Sequence, residues 1–323
     1  MMDRLGRKID YLRVSLTDRC NLRCRYCMPN GVELTTHGNM LTYEELLLLC
    51  QTATTLGITK FKITGGEPLV RKGCVDFMAR LKATSGVEQV TLTTNGILLP
   101  GVLDRLAGLG IDGINVSLDT LDPEQYQRIT GFDGRAVGQI SATLARCVAL
   151  DIPTKINAVL LPETFGTLPQ LAALAKDLPV DVRFIELMPI GEGIGQEGPS
   201  TNQALERLQQ AWPDLRPTNE HRGNGPAVYC ASDALQGRIG LIGALSHTFC
   251  EGCNRVRLTS TGVLKPCLCY ETGSDLRALL RGGCSGEELA QSMAETIRAK
   301  PTAHCFQEQQ DVTERRAMYQ IGG

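Results

Sequence analysis

Residues 60–68 read KFKITGGEP, and the first five of them decide the fold. Lys60, Lys62 and Thr64 alternate with Phe61 and Ile63. In a β-strand that alternation gives one polar and one apolar face. Candidate strands at 11–16, 60–64, 89–93, 113–117, 154–160 and 181–185 are separated by helical patterns at 42–57, 74–83, 100–109, 136–150 and 167–178. Thr42 and Glu45 have the spacing of a capping box, and Gly57 stands where a helix-ending glycine belongs. Strand–helix repetition argues for a parallel sheet with right-handed crossovers. Parallel strands covered on both faces are near-continuous apolar runs. These are not: Thr91, Thr93 and Asn95 share a face, as do Asn115 and Ser117, and Lys155 and Asn157, while Arg13 and Arg183 sit mid-strand. Polar faces on six successive strands converge on a lumen. The expected fold is α/β, a partial (β/α)6 TIM-like barrel with a wet, cationic interior.

After Leu187 the composition changes. PIGEGIGQEGPSTN and PTNEHRGNGPA are loop-like and flank a short helix at 203–210. Short strands follow in AVYC, GRIGLIG, RVRLT and GVLKPC, then helices near 274–281 and 287–299. The expected division is a barrel over 1–190 and a C-terminal region over 191–323 that closes the barrel's open side. A net charge of −2 argues against a general nucleic-acid binder. No apolar run is long enough for a membrane span or a secretory leader, so a cytoplasmic location is expected. In that reducing compartment thirteen cysteines point to metal ligation or chemistry rather than a disulfide framework.

Six of them form two triads. DRCNLRCRYCMP holds Cys20, Cys24 and Cys27 as CxxxCxxC, and HTFCEGCNRVRLTSTGVLKPCLC holds Cys250, Cys253 and Cys267. Three thiolates can hold a cubane [4Fe–4S] cluster by three corners and leave one iron open for a ligand. Zinc is the alternative in both places, completed by His37 in the first triad and by Cys269 in the second. Cys50, Cys74, Cys147, Cys230, Cys284 and Cys305 are scattered and read as small core residues.

CxxxCxxC with Tyr26 before its last cysteine resembles the signature of radical S-adenosylmethionine (SAM) enzymes, and ITGGEPLVR resembles their glycine-rich segment after the second strand. In that superfamily the open iron binds SAM, whose one-electron reduction gives a 5′-deoxyadenosyl radical. LRVSLTDRCNLRCRYCMP, KITGGEPLVR, LTTNG, INVSLDT, KINAV, RFIELMPIG, FCEGCNRVRLTSTG and the terminal IGG are similar, in order, to the GTP 3′,8-cyclase family of molybdenum cofactor synthesis.

The resemblance implies two [4Fe–4S] clusters and SAM as cofactors. It implies that the second cluster's open iron takes the purine of GTP, and that (8S)-3′,8-cyclo-7,8-dihydro-GTP is made after abstraction of the 3′ hydrogen. SAM contacts are implied for Tyr26, Gly66, Ser117 and Met188. GTP contacts are implied for Arg13, Lys62, Thr93, Lys155 and the segment Arg255, Val256 and Arg257, and the lumen-facing pattern adds Lys60 and Arg183 to the cations around a triphosphate. The tail pair Gly322 and Gly323 is implied to enter the active site and serve catalysis. Expected partners are a flavodoxin- or ferredoxin-like electron donor, the downstream cyclic pyranopterin monophosphate synthase and a second copy in a homodimer, with no nucleic acid and no membrane. A radical SAM peptide maturase with an auxiliary cluster is the alternative enzyme. An iron–sulfur electron carrier and a zinc-stapled nucleic-acid module are the alternatives of other classes, and neither needs GGEP or a cationic lumen. Three departures from the family pattern stand out: Lys62 in place of arginine, a short segment between Pro29 and Leu41, and Cys269 where an aromatic or aliphatic residue is common.

Overall fold

The computed structural model describes residues 1–29 and 34–323. The expected shortening after Pro29 therefore falls partly outside the described residues. Six strands, β1 (Tyr11–Ser15), β2 (Lys60–Thr64), β3 (Gln89–Thr94), β4 (Gly113–Ser117), β5 (Thr154–Leu160) and β6 (Asp181–Glu186), run parallel and adjacent in sequence order. Between them lie α1 (Tyr43–Thr55), α2 (Cys74–Lys82), α3 (Leu103–Gly108), α4 (Pro123–Thr130), α5 (Ala136–Ala149), α6 (Leu168–Ala172) and α7 (Leu174–Asp177).

The local signals act as the sequence indicates. The Glu45 amide donates to Thr42 Oγ1 at 3.1 Å and the Thr42 amide to Glu45 Oε2 at 2.7 Å, closing the capping box. Gly57 follows the helix with φ +82°. Two expected helices are shorter: the one at 100–109 opens with a 3-10 turn at Leu99–Gly101, and the one at 167–178 divides into α6 and α7. The sequence reading missed α4, although Asp122 caps it through the Gln125 amide (2.8 Å) and Pro123 opens it.

Leu12, Val14, Phe61, Ile63, Val90, Leu92, Ile114, Val116 and Ile156 point outward. They pack on Leu46, Leu49 and Ala53 of α1, Phe77, Met78 and Leu81 of α2, and Ile140 and Leu144 of α5 in one continuous core. The alternate residues are left facing inward.

The rest of the chain comprises α8 (Thr201–Gln209), β7 (Arg216–Pro217), β8 (Val228–Ala231), β9 (Ile239–Ile242), β10 (Arg255–Leu258), β11 (Val263–Lys265), β12 (Ser274–Asp275), α9 (Leu276–Arg281), α10 (Gly286–Arg298) and α11 (Met318–Ile321). It is not a separate layer laid across the opening. β9 adds in parallel to β6, and β10 adds in parallel to β1, so the pairings cross the expected boundary at residue 190 at both sheet edges. β8 and β7 then extend one edge antiparallel, and β11 and β12 the other. The linear order β12-β11-β10-β1-β2-β3-β4-β5-β6-β9-β8-β7 ends at β12 and β7 without closing, so the barrel stays open, with β9 and β10 as its outermost parallel strands. Residues 243–254 join those two strands, so the loop with Cys250 and Cys253 must cross the opening.

Candidate functional site

Two chambers occupy the lumen. The first, about 270 Å³, is lined by Cys20, Cys24 and Cys27 together with Tyr26, Gly66, Ser117 and Met188. These are the triad and all four residues expected around SAM. The cysteines lie in the loop after β1, which is braced by the Glu67 amide donating to Arg19 O at 2.8 Å and the Gly66 amide to Thr17 O at 2.7 Å. A β-carbon on Gly66 would stand 2.5 Å from that Arg19 oxygen, so the close approach of the two backbones requires glycine. The Leu22 amide donates to Cys20 Sγ at 3.3 Å. Burial raises the thiols of Cys20 and Cys24 and pushes Cys27 up to about 12. Burial disfavours thiolates here unless a cationic centre compensates them. His37 is exposed and does not line the chamber, so it is not placed to complete the zinc site of the alternative reading.

Asp119 had not been singled out, and Asn95 only as a member of the polar face with Thr91 and Thr93. Tyr26 donates its hydroxyl to Asp119 Oδ2 at 2.7 Å, and the Val159 amide donates to Asp119 Oδ1 at 2.8 Å. Burial raises the Asp119 carboxyl to about 6 against those hydrogen bonds. Asn95 bridges to Asn21 Oδ1 at 2.8 Å. Asp119 directly follows the INVSL strand and Asn95 ends LTTN, so strand-end position was the available signal.

The second chamber, about 540 Å³, lies within the range of small-molecule clefts. Cys250, Cys253 and Cys267 line it with eight cationic side chains, Arg13, Lys62, Lys155, Arg183, Arg222, Arg255, Arg257 and Lys300, against two acidic ones, Asp112 and Asp181. Lys62 has no counter-ion among the described residues: burial first, then the charges of Arg183 and Arg13, hold it well below 10.5. Arg183 donates Nε to Asn157 Oδ1 at 2.9 Å. At Cys253 burial acts upward, but Arg255 and Lys300 outweigh it and bring the thiol down to about 7. Phe249, His304 and Phe306, absent from the sequence reading, form an aromatic wall beside this triad, with His304 and Phe306 stacked at 4.5 Å.

Several expected residues are placed differently. Lys60 does not line the chamber: it lies one turn of the pleat below Lys62, paired with Asp10 at 2.9 Å. Val256 points its side chain into the core, as period two requires of the residue between Arg255 and Arg257. Lys155 lines the chamber, but its three donors are committed to Asp181 (3.0 Å), Arg222 O (2.6 Å) and Tyr229 Oη (3.0 Å). It holds the loop around Arg222 instead of presenting a free ammonium. Cys269 is buried in a satellite apolar cluster and does not line the chamber, so it is not placed as a fourth ligand.

The chambers share Arg13, Thr93, Asn157, Ile185, Met188, Arg257 and Leu268. The tail reaches this shared wall. Arg257 Nη1 donates to Gly322 O at 2.6 Å, and Arg13 Nη2 donates to Gly323 O. Gly322 has φ +89°, and a β-carbon there would stand 2.8 Å from Ser15 Cβ. Behind it, buried Glu314 pairs with Lys265 and, at 3.0 Å, with Arg316, anchoring the tail to β11.

Comparison with known proteins bears on both chambers. The Radical SAM superfamily model matches residues 14–175 and the Molybdenum Cofactor Synthesis C model matches residues 180–306. The GTP 3′,8-cyclase of Clostridium perfringens (strain 13 / Type A) is 40% identical over 326 residues, covering 100% of both chains. That of Heliobacterium modesticaldum is 43% identical over 330 residues, again covering both chains fully. Among solved structures, Streptococcus suis SuiB bound to S-adenosylmethionine superposes with a TM-score of 0.67 at 13% identity over 97% of this chain and 78% of its own, a likeness of fold alone.

Proposed function

This chain belongs to the GTP 3′,8-cyclase family of radical SAM enzymes, and we propose that it divides that reaction between its two chambers. It converts GTP to (8S)-3′,8-cyclo-7,8-dihydroguanosine 5′-triphosphate, the first step of molybdenum cofactor biosynthesis. Its cofactors are two [4Fe–4S] clusters and SAM. When bound, they supply the electron and the hydrogen-abstracting group for the chemistry. Everything else falls to the protein.

Cys20, Cys24 and Cys27 hold the first cluster, with Tyr26, Gly66, Ser117 and Met188 around SAM. Cys250, Cys253 and Cys267 hold the second beside the purine. Lys62, Arg183, Arg255, Arg257 and Arg13 receive the triphosphate, and Thr93 stands in the shared wall near the ribose. Arg13 and Arg257 each give one guanidinium nitrogen to the tail, and an arginine fork has five N–H donors, so both retain donors for phosphate. Gly322 and Gly323 bring backbone without side chains to the place where the chambers meet. Lys60 and Val256 act from outside the substrate, through Asp10 and the core, while Lys155 lines the chamber and holds the Arg222 loop.

The observation that carries this reading is the shared wall. A chamber of about 270 Å³ and an eight-cation chamber are each lined by a three-cysteine set, and they meet at Arg13, Thr93 and Arg257. The division near residue 190 is one of role: 1–190 supplies the first chamber's cluster, and 191–323 supplies the second cluster and the tail. No helix among the described residues is long and apolar enough to cross a membrane, and we place the enzyme in the cytoplasm. A flavodoxin- or ferredoxin-like protein supplies electrons, cyclic pyranopterin monophosphate synthase consumes the product, and the chain pairs as a homodimer. The peptide-maturase reading is weaker, because its support is likeness of fold alone. Anaerobic incubation with SAM, dithionite and GTP tests the proposal: GTP-dependent 5′-deoxyadenosine and the cyclised nucleotide are expected, and SAM cleavage indifferent to GTP contradicts it.

A further inference from the structure

Two cysteines outside both triads touch each other. Cys269 lies in the loop after β11, two residues beyond Cys267, and Cys305 lies in the segment between α10 and the tail. Their sulfurs are 2.6 Å apart, and the Cys305 amide donates to Cys269 Sγ at 3.2 Å. Both are free thiols. Cys269 is fully buried, whereas Cys305 is half-buried and reaches solvent. Neither lines a chamber. The fold brings the two sulfurs into contact across 36 residues of sequence. In a reducing compartment a thiol pair of this kind is a redox element rather than a permanent staple.

We propose that Cys269 and Cys305 are a site of reversible disulfide formation, by exchange with a low-molecular-weight disulfide such as oxidised glutathione. The accessible Cys305, as its thiolate, attacks one sulfur of oxidised glutathione, breaking that S–S bond and releasing one glutathione thiol. Cys269 loses its proton and attacks the Cys305 sulfur of the mixed disulfide, expelling the second glutathione. Two protein thiols lose two electrons and one glutathione disulfide gains them, so no further oxidant enters.

The place of the bond sets its effect. Cys269 O accepts from the Glu314 amide at 3.2 Å, and Glu314 is the buried anchor of the tail through Lys265. The next residue before Cys305, His304, donates its amide to Cys250 Sγ at 3.4 Å. A 269–305 bond therefore ties the loop carrying Cys267 to the base of the segment whose end lies on Arg13 and Arg257. Oxidation locks the tail in the chamber, and reduction frees it to move.

The test uses full-length, anaerobically reconstituted enzyme treated with oxidised glutathione, then alkylated, digested and analysed by mass spectrometry. A peptide pair linked through Cys269 and Cys305 is expected. It should be lost on adding dithiothreitol, while Cys50, Cys74, Cys147 and Cys230 remain alkylated thiols. Hydrogen exchange over 306–323 should slow in the oxidised form of the parent and be unchanged by glutathione in Cys305→Ser, or in Cys305→Ala should the serine variant not fold. Alkylation of both thiols, a glutathione adduct resting on Cys305, linkage through Cys267, or a linked form with unaltered exchange would each overturn the proposal. The linkage is read without turnover, so this outcome is independent of whether GTP is the substrate.

Discussion

The two chambers are each lined by three cysteines and differ in what surrounds them. Around Cys20, Cys24 and Cys27 the charges are nearly balanced, with Arg13 and Arg257 against Asp119 and Glu186. Around Cys250, Cys253 and Cys267 eight cations face two acids. The first environment suits SAM, a zwitterion with a cationic sulfonium, and the second suits a triphosphate, which needs a fixed cationic cradle. Three cysteines holding a cubane would leave one iron open, and the neighbouring side chains would decide what comes to it.

The comparison breaks most sharply at the ligands. Replacing Cys20, Cys24 and Cys27 together with alanine should halve the iron content and abolish 5′-deoxyadenosine formation, while GTP still binds. Replacing Cys250, Cys253 and Cys267 should also halve the iron, yet leave SAM binding measurable. Iron analysis and equilibrium binding on both variants check this. Identical losses in the two would make the chambers one site.

Next in size is the tail. The β-carbon of Gly322→Ala meets Ser15 and Thr64 Oγ1, at 2.8 and 2.9 Å, and must displace the backbone that Arg257 holds. Displacement of about 1 Å at a reacting centre costs on the order of 10²-fold in rate. Product formation should fall by about that factor with both clusters intact, as chromatography of the reaction mixture would register.

Single cations of the second chamber should matter less. Changing Lys62 to methionine, or Arg255 to alanine, should weaken GTP binding by about 1.5–3 kcal/mol, the scale of a charged hydrogen bond, and leave SAM affinity unaltered. Lys62 adds a pH signature. Burial and its cationic neighbours hold it below 10.5, and a bound polyanion favours its protonated form. Binding therefore takes up a proton between the lowered and ordinary values, and affinity falls as pH rises through that window. Calorimetry in buffers of different ionisation heat should detect the uptake in the parent and its loss in Lys62→Met. Smallest of all, Cys269→Ser should retain its iron and its turnover with GTP, since the side chain lies outside the chamber.

Much of this was legible in sequence because period-two alternation is a local signal. KFKIT, QVTLT and GINVS reveal their inward faces without any tertiary knowledge. Alternation gives direction but not depth, which is why Lys60 reads like Lys62 although Asp10 neutralises it at the strand's start. The commitments of Lys155 were hidden for a related reason: its partners Arg222 and Tyr229 arrive from a loop and a strand some 70 residues later, and no local pattern announces them. The C-terminal strands were legible as strands, but their addition to both edges of one sheet depends on long-range pairing. His304 and Phe306 carried no spacing signal and join Phe249 only through the fold.

The central claim is that SAM and GTP meet across the wall formed by Arg13, Thr93 and Arg257. Incubating the reconstituted enzyme with SAM, reductant and GTP deuterated at the ribose 3′ carbon tests it most directly. Deuterium is expected in the 5′-deoxyadenosine formed, and about 10²-fold less labelled product with the Gly322→Ala variant. Unlabelled 5′-deoxyadenosine accompanying full conversion of the labelled GTP would contradict it.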